Sequence, residues 1–210
     1  MIKLKKKDIL FAIFILAFFT PVVLAEIAGS KHDFSSQGWS GGNICIVCHT
    51  PHNAMQLVNV PAPLWNHELS TANYTLYASP TMDETTIQPL GISKLCLSCH
   101  DGTVALDSFG GDFGGSFISE EKDLGTDLSD DHPISITWTH QTIDNGCMPC
   151  HDNIGEDPAK FPLPFYKYSG GPAKVECSTC HDPHDNRADG PNMLRWTNED
   201  SELCLTCHSK

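Results

Sequence analysis

The sequence predicts a mostly irregular protein with short α-helices and little or no β-sheet. Glycine and proline together make up 30 of the 210 residues. Runs such as 109–116 and 161–165 interrupt regular structure, because these two residue types punctuate helices and strands. All ten cysteines fall in five Cys-x-x-Cys-His pentapeptides, each of which fits one helical turn. We therefore expect short helices at these motifs and long ordered loops between them.

The spacing of these motifs is typical of c-type haem attachment. Two thiols add to the vinyl groups of one haem, and the adjacent imidazole becomes the proximal iron ligand. Cysteines three residues apart lie on one face of a helical turn, so both reach the same porphyrin edge. The predicted attachment residues are Cys45, Cys48, Cys96, Cys99, Cys147, Cys150, Cys177, Cys180, Cys204 and Cys207, and the predicted proximal ligands are His49, His100, His151, His181 and His208. The predicted cofactors are five covalently bound c-type haems, which supply most of the core of a multihaem cytochrome c.

Other uses of paired cysteines fit the pattern less well. A zinc ribbon needs cysteine pairs but does not require histidine directly after every second cysteine. A thioredoxin-like dithiol needs only one pair, and a disulfide framework needs no histidine.

The strongest helix prediction is 197–208, which contains the last motif. Thr197 or Asn198 can serve as the N-cap, and acidic residues fill the first turn. Leu203 would face inward beside the two cysteines.

The sixth coordination position of each iron separates an electron carrier from a catalyst. Six histidines are left for five distal positions: His32, His52, His67, His132, His140 and His184. His52 and His184 each follow a proximal histidine by three residues, with a proline fixing the turn between them. Neither can easily fold back across its own haem, so each is expected to bind the iron of a neighbour. One of the six should be left over as an ordinary histidine.

Methionine is the competing distal ligand, and it would raise the potential of its haem. Met55, Met82, Met148 and Met193 are available. Because histidine is in excess, we expect these methionines to serve in packing.

The N-terminus reads as an export signal. Four lysines precede an uncharged apolar run over 9–24, and Val23-Leu24-Ala25 is a small-residue cleavage site. The alternative is an uncleaved anchor, since the run is near the lower length limit for a membrane span. We expect a periplasmic or extracellular protein with no stable membrane span after cleavage.

The chain is strongly acidic, with a formal net charge of −13 at pH 7. Cleavage after Ala25 would remove four lysines and Asp8, a net +3, and leave −16. Such a chain should avoid nucleic acid and should favour redox partner proteins with a basic docking face. The negative charge is explained equally well if it only keeps an exported protein soluble. The acidic stretch 119–131 matches no known calcium loop, although calcium binding there is conceivable.

Internal repeats suggest the domain organisation. The segment 45–52 resembles 177–184, and 93–100 resembles 201–208. We predict a signal peptide over 1–25, an N-terminal doubled haem unit over 26–110, and a C-terminal doubled haem unit over 171–210. The acidic, glycine- and proline-rich connection 111–170 carries the middle motif, which matches neither partner.

Between Lys31 and His208 the histidine- and cysteine-containing motifs follow one another in a specific order. They are Ser-Lys-His-Asp, Cys-x-x-Cys-His-Thr-Pro-His, Pro-Leu-Trp-Asn-His, Leu-Cys-Leu-Ser-Cys-His-Asp-Gly-Thr, Asp-His-Pro-Ile-Ser, Cys-x-x-Cys-His-Asp-Pro-His and Leu-Cys-Leu-Thr-Cys-His. This order resembles the doubled Cys-x-x-Cys-His multihaem cytochromes. It is especially similar to the small exported tetrahaem group that includes extracellular cytochrome filament subunits of metal-reducing bacteria.

The resemblance implies bis-histidine low-spin haems in a closely spaced chain, with electron transfer as the activity. It also implies that a distal histidine comes from a neighbouring subunit in members that form homopolymeric filaments. The departure from the group is the additional middle motif, 147–151, for which His140 is the nearest extra histidine. The haem on this additional motif would change the path of electrons along the subunit.

Three function classes compete. The leading expectation is an electron-transfer protein and not an enzyme, either a periplasmic shuttle or an extracellular conduit. A multihaem reductase of nitrite, hydroxylamine or a sulfur oxyanion would need one open haem site, and no Cys-x-x-Cys-Lys motif occurs. The third class is a docking protein whose haems serve assembly.

Overall fold

The computed structural model describes residues 27–57, 60, 62, 64–82, 84–138, 163–184 and 193–208. The described helices are α1 (Gly91–His100), α2 (Cys177–Cys180) and α3 (Glu202–Leu205), with 3₁₀ turns at Gly38–Ser40 and Glu199–Ser201. The described strands are β1 (Thr75–Leu76), β2 (Asp127–Leu128), β3 (Ile136–Trp138), β4 (Tyr166–Lys167) and β5 (Ala173–Val175). Each α-helix contains at least part of a Cys-x-x-Cys-His motif.

The fold class predicted from the sequence is wrong. The protein is 17% helix and 12% strand, and its strands form two small sheets in a largely irregular chain that is not a clear helical fold. β3, β5 and β4 form an antiparallel sheet in that order, with Ile136 opposite Val175. The β-branched and aromatic residues of β3 favour such pairing. Gly170, at φ +74°, lies in the turn that joins β4 to β5.

The smaller sheet belongs to a compact apolar cluster. β1 and β2 pair in parallel, with Leu76 opposite Leu128. Tyr74, Leu97 and Leu128 are buried together, so one residue from α1 packs against the sheet region. This cluster fixes the helix that carries the second motif.

Glycines with positive φ lie at the first residue of α1 and just beyond its end. Gly91, at φ +49°, lies against the Tyr168 ring, and a Cβ there would come within 2.0 Å of it. Gly102, at φ +68°, follows the helix and stops it. The second motif is therefore held at the C-terminal end of a helix whose start is packed against the β4–β5 turn.

The helix predicted over 197–208 is shorter than expected. It consists of the 3₁₀ turn and α3, because Asp200 and Ser201 have φ values of 50° and 67°, which a continuous helix does not allow. The Thr197 hydroxyl accepts a hydrogen bond from the Glu199 amide at 3.1 Å, while the Asn198 side chain makes no capping bond. The proposed domain boundaries stay a prediction.

Candidate functional site

Four of the five Cys-x-x-Cys-His motifs lie within the described residues, and each closes a helical turn at its histidine. The amide of His49 donates to the carbonyl of Cys45 at 2.8 Å, and His208 donates in the same way to Cys204 at 2.8 Å. His181 donates to Cys177 at 3.0 Å. The second motif, 96–100, forms the C-terminal end of α1. This local geometry brings both cysteines and the histidine of each motif to one region of space.

The cysteines of different motifs are close to one another. The interaction between the thiols of Cys96 and Cys177 raises the pKa of Cys96 and lowers that of Cys177. Burial raises the pKa of Cys48 to about 11 and that of Cys99 to about 12. All eight described cysteines are free. Cysteines of several motifs therefore lie near one another, while Cys45 and Cys204 are exposed.

Three pairs of histidines face one another across the structure. The ring centroids of His49 and His184 are 6.1 Å apart, and the planes differ by 18°. His32 and His100 are 6.2 Å apart at 81°. The third pair, His132 with His208, is 6.3 Å apart at 69°. Each pair joins a motif histidine to a histidine from elsewhere in the chain.

These separations fit an iron held between two imidazoles. A metal lies about 2.0 Å from an imidazole nitrogen, and that nitrogen lies about 1.1 Å from its ring centre, so two axial rings have centres about 6.2 Å apart. Burial, followed by the neighbouring His100, lowers the pKa of His32. Burial also lowers the pKa of His132. Both rings therefore favour the neutral form that binds iron. The Nδ1 atom of His32 is buried without a hydrogen-bond partner.

Backbone carbonyls orient two of the paired rings. His100 Nδ1 lies 3.0 Å from the Lys122 carbonyl, and His132 Nδ1 lies 2.9 Å from the Pro133 carbonyl. A hydrogen bond at Nδ1 fixes the tautomer and leaves Nε2 free for a metal. The loop 119–124, which the sequence marked only as acidic, thus serves to orient a motif histidine.

A charged side chain holds the turn that carries His184. Asp182 accepts from the His184 amide at 3.0 Å, and its other oxygen binds Arg195 at 2.7 Å. Arg195 also donates from Nε to the Ser178 carbonyl at 2.8 Å. The segment after the fourth motif is therefore clamped to the motif itself. Sequence reasoning missed Arg195, because nothing in the local pattern connects it to Asp182.

A buried carboxyl joins the second and fourth motifs. Glu176 is 1% exposed, and its Oε2 accepts from Ser135 at 3.0 Å and from Ser93. Ser93 in turn accepts from the Cys177 amide at 3.0 Å. Thr179 and Glu176 form a reciprocal capping box at the start of α2. A glutamate before a Cys-x-x-Cys motif was the only sequence signal for this network.

The segment 65–67 braces the first motif against the loop that follows the second. The Asn66 amide donates to the Cys48 carbonyl at 2.9 Å, and Trp65 packs edge-on against His49 with centroids 6.1 Å apart. His67 is fully buried, with Nδ1 2.8 Å from the Glu68 carbonyl and Nε2 3.1 Å from that of Ala105. Both ring nitrogens of His67 thus face backbone oxygens.

The other candidates are not brought into a pair by the described residues. His52 is exposed, and the hydrogen bonds described for it involve its backbone and the Thr50 hydroxyl. His140, Cys147, Cys150, His151 and Met148 lie outside the described residues, as does the predicted signal peptide.

The match to known families falls on the clamped C-terminal region. Residues 171–210 match the family described as the doubled CXXCH motif. The chain carries the doubled CXXCH motif of multihaem c-type cytochromes. This doubled CXXCH segment contains the fourth and fifth motifs together with His184 and Arg195. Such cytochromes bind haem covalently, and as a family they generally transfer electrons. No curated protein matches the chain.

Two further findings concern only the part of the chain that the structure describes. Within it, no helix has the length and apolar character needed to cross a membrane. Its histidine, cysteine and acidic side chains form no group of three or more that could hold a metal ion among themselves.

Proposed function

We propose that the protein is a pentahaem c-type cytochrome that transfers electrons along closely spaced bis-histidine haems. The observation that carries this proposal is the set of three histidine pairs with centroids 6.1–6.3 Å apart. In every pair one member belongs to a Cys-x-x-Cys-His motif and the other does not. Five motifs in the sequence support the count of five haems.

Bound haem supplies an iron that alternates between ferric and ferrous states. The work of the chain is to hold both axial positions of that iron occupied, so that the redox change requires little movement. We assign His184 to the haem of the first motif, His32 to that of the second and His132 to that of the fifth. His52 and His140 remain candidates for the other two.

The pairing between distant motifs supports rapid transfer. His184 follows the fourth motif yet faces His49 of the first. Cys96 and Cys177, from the second and fourth motifs, lie near enough for each to shift the pKa of the other. Ligands and attachment points shared among motifs force neighbouring haems close together, which electron hopping requires.

His67 is the histidine that we leave out of iron binding. Its ring is fully buried, and both nitrogens lie within hydrogen-bond distance of backbone carbonyls. A neutral imidazole donates from only one nitrogen, so iron would have to bind the other nitrogen, and the backbone carbonyl that now lies against that nitrogen would have to move.

We further propose export and transfer to a partner with a basic docking face. Attachment of c-type haem requires export, and the net charge of −13 favours positively charged partners. The protein then acts as a periplasmic shuttle or, in a homopolymeric filament, as an extracellular conduit. Particle mass by light scattering, read beside electron micrographs, separates these two forms.

The test of function compares carbon monoxide binding in two reduced proteins. With every iron six-coordinate, the wild type should resist carbon monoxide. The variant His184→Ala opens one position and should bind one carbon monoxide per chain, and free imidazole should compete with it. His184 is 55% exposed, so the substitution should not disturb folding.

The matched control is Thr50→Ala, which alters the corresponding turn of the first motif without removing an imidazole. It should resist carbon monoxide as the wild type does. Intact-protein mass must show the same number of haems in all three proteins. Stoichiometric carbon monoxide binding by the wild type would instead indicate an open site, as a multihaem reductase needs.

A further inference from the structure

The three histidine pairs differ in ring orientation far more than in distance. The rings of His49 and His184 are 18° from parallel. Those of His32 and His100 are 81° apart, close to perpendicular. The remaining pair, His132 and His208, is at 69°. Because the centroid distances agree within 0.2 Å, from 6.1 to 6.3 Å, orientation is the property that distinguishes the sites.

We propose that these angles make the haem sites electronically unequal, with one near-parallel site at His49 and two near-perpendicular sites at His100 and His208. This inference rests on the proposed ligation. It concerns how the chain tunes each iron, beyond the fact that both axial positions are filled.

The physical reason lies in the π electrons of imidazole. Each ring donates π density to iron perpendicular to its own plane. Two parallel rings act on the same iron d orbital and raise its energy well above that of the other d orbital of π symmetry. Two perpendicular rings act on different orbitals, which then stay close in energy. Axial ligands are one of the main ways in which a protein sets the properties of haem iron.

The consequence for electron transfer has a definite sign. The ferric hole occupies the highest of these orbitals, so raising that orbital makes the electron easier to remove. Near-parallel rings therefore stabilise the ferric state and lower the potential of the His49 site relative to the others. Ring orientation contributes to the reduction potential in addition to burial and nearby charge.

Contacts described at each pair hold the angles. The Lys122 carbonyl orients His100 through Nδ1 at 3.0 Å, and the Pro133 carbonyl orients His132 at 2.9 Å. His184 lies on the turn that Asp182 and Arg195 clamp. One ring of each pair is thus oriented by a different local contact, which allows the three sites to differ.

The test is electron paramagnetic resonance of the fully ferric holoprotein at low temperature. Parallel axial rings give a rhombic low-spin signal with three resolved g values, and perpendicular rings give a single feature at larger g. The variants His184→Ala, His32→Ala and His132→Ala each remove one ring. Subtracting each variant spectrum from that of the wild type assigns one signal to one site.

We expect the His184→Ala difference to be the rhombic signal, and the other two differences to be large-g features. The variants His184→Met, His32→Met and His132→Met keep six-coordinate iron while removing one ring plane, so they provide the same assignment if an alanine variant fails to fold. Loss of a large-g feature in the His184 variants, or of a rhombic signal in both other sets, would overturn the inference. Retention of all low-spin signals in every variant would overturn the ligation itself, and with it the proposed function.

Discussion

The turns 45–52 and 177–184 have nearly the same sequence pattern but different surroundings. In the C-terminal turn, Asp182 binds Arg195, and His184 faces a histidine of another motif. In the N-terminal turn, Thr50 takes the place of Asp182, and its hydroxyl donates to the His52 carbonyl at 3.0 Å. His52 and His184 are both exposed, so the two turns differ in the contacts of these residues and not in their burial. The motif alone therefore does not decide where its second histidine goes; the side chain between the two histidines and its distant partner help to decide it.

The largest difference should appear when the residue between the two histidines is removed from each turn. Asp182→Ala breaks an ion pair at 2.7 Å between side chains only about one quarter exposed, and it also removes the acceptor for the His184 amide. We expect a loss of about 2–3 kcal/mol, between the values for exposed and fully buried pairs. Thr50→Ala should cost about 0.5–1 kcal/mol. Chemical denaturation of the two ferric holoproteins measures both values.

Arg195→Gln is the control for the larger effect, because it breaks the same ion pair from the other side. The double variant Asp182→Ala, Arg195→Gln should cost clearly less than the sum of the two single variants. Additive losses would show that the two residues act independently and that the clamp is not the source of the difference.

The two turns also differ in what precedes them. Glu176 precedes the C-terminal turn, and burial raises its pKa despite hydrogen bonds from Ser93 and Ser135. Its Oε1 atom has no hydrogen-bond partner. A raised folded-state pKa means that the folded protein binds this proton more tightly than the unfolded chain does. The resulting stability is complete below the ordinary glutamate pKa and is lost as pH rises through the raised value.

The prediction is that Glu176→Gln changes the pH dependence of stability. Glutamine keeps an acceptor for Ser93 and Ser135 without a charge, so the variant should be more stable than wild type at pH 8, by roughly 1–3 kcal/mol. The advantage should vanish near pH 4. Thermal unfolding across this range measures it, and parallel pH curves for the two proteins would contradict the assignment.

Sequence reasoning succeeded where the signal was local. Residues 171–210 match the doubled CXXCH motif that the sequence predicted, because residues at fixed spacing carry that information. Sequence reasoning failed for the sheet of β3, β5 and β4, because Ile136 and Val175 are far apart in sequence. The clamp of Asp182 by Arg195 escaped for the same reason.

Histidine roles lie between these two cases. A count of six spare histidines for five positions is a sequence fact, but the choice among them depends on folding. His67 and His184 are both among the six candidates, and the sequence favours His184 because of its position after the fourth motif. In the structure, the ring of His67 is enclosed by backbone carbonyls, whereas His184 faces His49. The proposed choice between these two imidazoles therefore rests on the surrounding backbone rather than on proximity to a motif.

The smallest expected effect sharpens the comparison at the start of the N-terminal turn. Asn43 Oδ1 accepts from the Cys45 amide at 2.8 Å and the Ile46 amide at 3.2 Å, so an exposed amide there takes the capping role that buried Glu176 has in the other turn. Asn43→Ala should cost about 1 kcal/mol, with little dependence on pH. Asn43→Ser keeps a capping oxygen and should stay close to wild type in denaturant unfolding. Equal losses of stability in both variants would show that the first motif does not depend on this cap. A loss of stability confined to the alanine variant would show that both turns are capped. The N-terminal cap would then be a neutral side chain, and the C-terminal cap a titrating one.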